Sequence, residues 1–198
     1  MVAPVFSTRR ILAGAIFLLS ASAFLLAQFP INTQRPAEDN NPAHVRELVS
    51  KYCRLDYEGG RLDPAAWSKL QPIVWWQQAP KYSQIDVVAR YAVDPDPVEH
   101  SGKYVVSVHY RLLGTYDLAN GYVPEPTGSM QNVDFIVSPE NTEYRIADAE
   151  NTFPHPSRAV MLKWLNQQLA SEQEAAAKER VQRAVNLLSA QPASPFAK

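Results

Sequence analysis

The chain has 198 residues, 46% hydrophobic and 20% charged, which suits one core with appendages. Its formal net charge is −1, and beyond Arg9 and Arg10 there are 17 basic and 20 acidic residues with no basic stripe, which argues against nucleic acid as a partner. A single cysteine, Cys53, excludes an intramolecular disulfide and a cysteine-based zinc site.

Arg9 and Arg10 precede a 17-residue uncharged run from Ile11 to Ala27. Basic residues ahead of an apolar run are the export signature, because the positive flank stays on the cytoplasmic side. The run is long for a cleaved signal and short for a spanning helix, so residues 1–28 are expected to be a signal peptide or a single-span anchor. Cleavage at Ala23 or Ala27 would decide between them, and the order Thr8-Arg9-Arg10 partly resembles a twin-arginine signal. The domain is thereby expected in the cell envelope, held outside the cytoplasmic membrane or exported. Residues 29–41, with Pro30, Pro36, Glu38 and Asp39, read as a flexible tether.

Asn41 and Pro42 open a helix whose face carries Val45, Leu48, Val49 and Tyr52, and Gly59-Gly60 ends it. Asp63-Pro64 starts a second, short helix that Pro72 stops. Alternation at Ile85, Val87, Ala89, Tyr91 and Val93 predicts a strand with one better-buried face. From Lys103 to Leu113 the period of two is clearest: Tyr104, Val106, Val108, Tyr110 and Leu112 share one face, and Ser107, His109 and Arg111 the other. A loop over 118–128, a strand over 129–137 and a short strand over 143–148 follow. One helix is expected over 157–190, well packed at first and then solvated except for one packing edge, a thin apolar stripe of Val181, Val185 and Leu188, before a disordered tail over 191–198. Segregated helices and antiparallel strands define an α+β domain over 42–156.

That order resembles the NTF2-like superfamily of SnoaL-like and ketosteroid isomerase-like proteins over about residues 43–151. The opening helix, the second helical stretch of 63–76, the long strands and Tyr144-Arg145-Ile146 in a closing strand carry the likeness. The resemblance implies a curved antiparallel sheet wrapped around the first helix as a cone, whose pocket serves catalysis, ligand binding or plain packing. A ketosteroid isomerase-like set of tyrosine and acids does not map onto this chain, and the helical extension after the closing strand departs from the family.

Few residues stand out for chemistry. His109 and Asp134, on neighbouring strands, are the candidate acid–base pair; ordinary placement on a solvated sheet face is the competing explanation. Trp75, Trp76, Tyr91, Tyr104 and Asn132 are candidate ligand contacts, against core or rim packing. Trp75 and Trp76 are adjacent and cannot face the same way in a regular strand. Asp148, Glu150 and His155 match no metal-binding spacing, so no metal and no cofactor is expected, and no Gly-rich phosphate loop, nucleophile elbow or HExxH motif is present. Cys53 beside the apolar stripe reads as a small buried hydrophobe. The expected function is a non-catalytic domain binding a small apolar ligand or a protein. A pocket isomerase, dehydratase or hydrolase using His109 and Asp134 is one alternative, and an assembly subunit docking through its last helix is another. Expected partners are the membrane through residues 11–27 if the leader is uncut, that ligand or protein, and a second copy of the chain.

Overall fold

The computed structural model describes residues 42–191 apart from 80, 142 and 150–152. The leader, the tether and the tail after 191 lie outside the described residues. Among those described, no helix is long and apolar enough to cross a membrane.

Helix α1, Pro42–Tyr57, buries Val45, Val49, Tyr52 and Cys53, the 3–4 spacing expected of one apolar face. It ends where Gly59 takes φ +91° and Gly60 N–H donates to the Leu55 carbonyl. A Cβ on Gly59 would also collide with Val160, so the glycine serves packing as well as the turn. Asp63 caps a 3₁₀ turn, Pro64–Ala66, by accepting from Ala65 N–H at 2.9 Å. That turn leads into the short α2, Trp67–Leu70, and a second 3₁₀ turn, Gln71–Ile73.

The sheet is open, antiparallel and six-stranded: β1 (Gln84–Val93), β2 (Val98–His100), β3 (Lys103–Asp117), β4 (Gly121–Pro124), β5 (Met130–Glu140) and β6 (Glu143–Ala149). The order is β1-β3-β5-β6, with β2 and β4 pairing with the two ends of β3. Sequence reasoning missed β2 and β4, both too short to show a period, and stopped β3 four residues early.

Two bulges organise the sheet. Val87 pairs with Gly114 and Val88 with Leu112, which leaves Leu113 extra; Arg90 then pairs with Arg111, which leaves Ala89 extra. Each extra residue reverses which parity faces α1. On β3 the α1 side carries Tyr104, Val106, Val108, Tyr110 and Leu112, whereas Leu113 and Tyr116 join a second cluster. On β1, Ile85, Val87 and Ala89 belong to that second cluster, and Val88, Tyr91 and Val93 to the first. The single face expected for Ile85 to Val93 is therefore split at Ala89.

The first cluster fills the space between α1, the 64–76 segment and the sheet. Its aromatics pack edge to face: Tyr52 on Phe135 at 5.4 Å between centroids, and Tyr104 on Tyr144 at 5.9 Å. The second cluster joins the opposite face to two helices, α3 (Arg158–Ser171) and α4 (Ala175–Ala190), where one was expected. Ser157 caps α3 by accepting from Val160 N–H, and the chain breaks at Glu172 to fold α4 back. As expected of a helix packed by one edge, α4 buries Ala177, Val181, Ala184 and Leu188 while most of its other residues are exposed. Its end is fastened by Arg158, which donates to the carbonyls of Leu188 and Ser189, and by Gln191, which donates to Leu113 O and accepts from Tyr122 OH.

Candidate functional site

Three places on this scaffold gather polar side chains. The first is the sheet face turned away from α1. There His109 Nδ1 lies 2.8 Å from Asn132 Oδ1, and Nε2 lies 3.4 Å from Asp94 Oδ1. Asp134 instead accepts from the Ser107 hydroxyl at 2.6 Å. The strand register explains this: His109 stands opposite Asn132, and Ser107 opposite Asp134. His109 and Asp134 thus point to the same open face without bonding to each other, and His109 is more than a third exposed. The bond to Asn132, then Asp94, raises the imidazole above its ordinary 6.5.

The second is a buried polar chain on the α1 side, past the bulges. Asp86, 1% exposed, accepts at Oδ1 from Gln84 Nε2 (2.8 Å) and Thr115 Oγ1 (2.9 Å), and at Oδ2 from Gln131 Nε2 (3.1 Å). A carboxylate accepts only, so it turns the Gln131 amide with Oε1 toward His155 Nε2, 3.1 Å away, and makes that nitrogen the donor. On the other side, Asp56 Oδ2 accepts from His155 N–H at 3.0 Å and lies 3.4 Å from Nδ1. The His155 ring stacks on Tyr110 at 4.0 Å and 12°, and the Tyr110 hydroxyl is 3.2 Å from Cys53 Sγ. Burial pushes the Cys53 thiol up to about 12, only partly offset by that hydrogen bond. Asp56 and His155 are 1% and 2% exposed. A substrate cannot reach them, so the Cys–His–Asp proximity is not a nucleophile site as it stands.

This chain fastens residues 153–157 along the free edge of β1. Asp86 and Val88 N–H donate to the carbonyls of Pro154 and Pro156, and Arg61 Nη1 donates to Phe153 O at 2.9 Å. Prolines suit such an edge, accepting without presenting N–H groups to a further strand.

The third is a surface groove of about 410 Å³ lined by the 60–64 turn, by Ala79, Lys81 and Tyr82, and by Trp164 of α3. Leu62, Pro64, Trp67, Leu118 and Trp164 give it an apolar lining, and Arg61, Lys81 and Tyr82 its donors. Trp164 is held edge-on against Tyr116 at 5.8 Å. A second cleft of about 440 Å³ shares Leu62, Asp63, Pro64 and Trp164 and continues the groove past Glu58 and Lys163.

The remaining sequence-based candidates fall elsewhere. Trp75 is exposed and Trp76 turns inward onto Tyr52 at 6.4 Å. Tyr91 packs between Tyr57 and Tyr110, and Tyr104 is buried with its hydroxyl 3.5 Å from Glu99. Among the described residues, no three His, Cys, Asp or Glu side chains gather as a metal site; Glu150 lies outside them.

Sequence reasoning missed the groove altogether, since its residues come from four separated segments. The buried chain left one signal: Asp56 sits at the i+3 and i+7 positions from Cys53 and Val49, a carboxylate on an apolar face. Comparison with family models, curated proteins and solved structures finds no match to this chain.

Proposed function

We propose that this is a cell-envelope protein whose folded part is a non-catalytic binding domain on an NTF2-like scaffold. Residues 1–28 carry it to, or hold it in, the membrane. The helix-first order and the packing of α1 across one face of the antiparallel sheet support the scaffold. The interior facing α1 is filled by Tyr52, Phe135, Tyr104 and Tyr144, so binding falls to the surface groove beside Trp164.

That groove carries the proposal. Its volume is in the range of small-molecule sites, about 300–1,000 Å³, and it pairs an apolar lining with a few fixed polar groups. Catalysis by His109 and Asp134 is disfavoured because the two open onto a flat strand face with separate partners. The test is a fragment screen by ¹H–¹⁵N NMR on the full chain in lipid nanodiscs. Ligands are expected to shift Leu62, Tyr82 and the Trp164 indole. A screen whose hits all map to the β3–β5 outer face would overturn the proposal.

A further inference from the structure

Of the donors around the groove, Arg61 is already spent. Its side chain is 7% exposed, donates to Phe153 O and shares a hydrogen bond with Tyr52. The charges that remain are Lys81 and Asp63, one of each sign and both exposed, and Asp63 Oδ1 is taken by its capping bond. They give the groove no net preference for an ion. Two neutral donors are left, the Tyr82 hydroxyl and the Trp164 indole N–H. Both residues line the groove and are half-buried, and neither group makes a hydrogen bond among the described residues. The Trp67 and Trp76 indole nitrogens are sealed from solvent, whereas the Trp164 nitrogen and the Tyr82 oxygen are not. Burial raises the Tyr82 phenol above its ordinary range, which keeps it a neutral donor at physiological pH. The Trp164 ring is held edge-on by Tyr116, so its N–H is fixed in direction. Leu62, Pro64, Trp67 and Leu118 supply the apolar wall around the pair.

We infer that the groove takes a neutral ligand with a flat apolar body and a carbonyl-type acceptor, met by the Tyr82 hydroxyl and the Trp164 indole N–H. This rests on the groove being the binding site proposed above. A carbonyl oxygen has two lone pairs and accepts from two donors. In the free protein both donors face solvent, so a ligand that brings an acceptor exchanges one partner for another at a modest gain. A body of the same shape without the acceptor covers the donors and leaves them unmet, which is a cost. Burial of the apolar body supplies most of the affinity, and the acceptor decides which of two equally apolar bodies binds. An ionic head gives up its hydration and finds no buried counter-charge with free valence.

Two isosteric probes isolate the acceptor: 2-acetylnaphthalene and 2-isopropenylnaphthalene, which differ only in C=O against C=CH₂. Each is titrated into the full chain in neutral-lipid nanodiscs, with empty nanodiscs fixing the free probe concentration, following the Trp67 and Trp164 indole signals. The ketone is expected to bind about tenfold more tightly, equivalent to about 1.4 kcal/mol. It should move the Trp164 indole proton downfield, as hydrogen bonding does, and the alkene should not. Tyr82→Phe, a change of one oxygen whose folding a thermal melt confirms, should cut the preference to about threefold and leave the alkene's affinity unchanged. Equal affinities in the wild-type chain overturn the acceptor inference while the groove stands as a site. A preference that Tyr82→Phe leaves at tenfold, with the Trp164 proton unmoved, overturns the two donors assigned here. Saturable binding by neither probe overturns the inference and the groove together.

Discussion

Strands β3 and β5 carry two sets of polar residues of nearly the same chemistry, on opposite faces. Outward are Ser107, His109, Asn132 and Asp134; inward, past the bulge, are Thr115, Gln131 and their partners Asp86, Asp56 and His155. Each set holds a histidine, an amide, a hydroxyl and at least one carboxylate. What separates them is water. The outer groups exchange solvent for one another at little net gain, whereas Asp86, Asp56 and His155 of the inner set are only 1–2% exposed and costly to strand. Hydrogen-bond geometry alone therefore ranks the two sets as equals; burial ranks them far apart.

The sharpest way to break that comparison is Asp86→Ala. It removes one buried carboxylate and with it three hydrogen bonds from the part-buried Gln84, Thr115 and Gln131, so roughly 2–3 kcal/mol of stability should be lost. Urea denaturation checks it, and a loss below about 1 kcal/mol would mean that water reaches the site. Asp56→Ala and His155→Ala should each cost slightly less. Their double mutant should cost clearly less than the sum, because each single change strands the other partner.

Alkaline pH probes the same interior from the Cys53 side. Its folded-state value, about 12, lies above the ordinary 9.0, so the unfolded chain releases the proton first. The thiol's contribution is intact below about pH 9 and is lost as pH climbs toward 12. At pH 10.5 that is on the order of 2 kcal/mol, at about 1.4 kcal/mol per unit. The buried Tyr52 and Tyr110 phenols are shifted the same way and add in the same sense. Urea midpoints at pH 7, 9 and 10.5 should fall mainly across the last interval, and Cys53 should resist Ellman's reagent until the chain unfolds. Fast native-state labelling would show that the thiol is accessible.

How far the sequence revealed these two regions follows from their physics. Outer-face residues sit on a regular alternation, and Ser107, His109 and Arg111 were legible as one side of β3. The α+β class, α1 with its glycine stop and the Asp63-Pro64 cap were equally legible, because each rests on neighbours in sequence. The inner network was not. Asp86 and Thr115 reach the α1 side only because Ala89 and Leu113 are extra residues, and a bulge reverses a face without leaving a local mark. His155 lies between prolines with no period at all, and it meets Asp56 across 99 residues of chain. That α4 packs by one edge was legible, but the full extent of that edge was not. Its stripe is thin because Ala177 and Ala184 fill it, and small residues packed closely look solvated in a pattern of large ones.

On the outer face the effects should shrink. Asp134→Ala loses the 2.6 Å bond from Ser107, but the hydroxyl is left where water replaces the partner, so about 0.5–1 kcal/mol is expected by urea denaturation. A loss matching that of Asp86→Ala would erase the distinction between the faces.

His109→Ala should be the mildest, within about 0.5 kcal/mol, since the ring is exposed and its partners remain hydrated. Its titration is nevertheless informative. The folded-state value is raised, first by Asn132 and then by Asp94, so the small stabilisation it gives is present below pH 6.5 and fades as pH rises through the folded midpoint. ¹H–¹³C NMR of the imidazole should place that midpoint above 6.5, and Asn132→Ala and Asp94→Asn should each lower it. The Asn132 effect has a direct cause: its carbonyl oxygen accepts from Nδ1 at 2.8 Å and favours the charged ring, whereas Asp94 is 3.4 Å away and half-exposed. A midpoint unaffected by Asn132→Ala would mean that solvent, rather than the strand register, sets the ring's partners, and the outer face would then be less ordered than the paired strands beneath it.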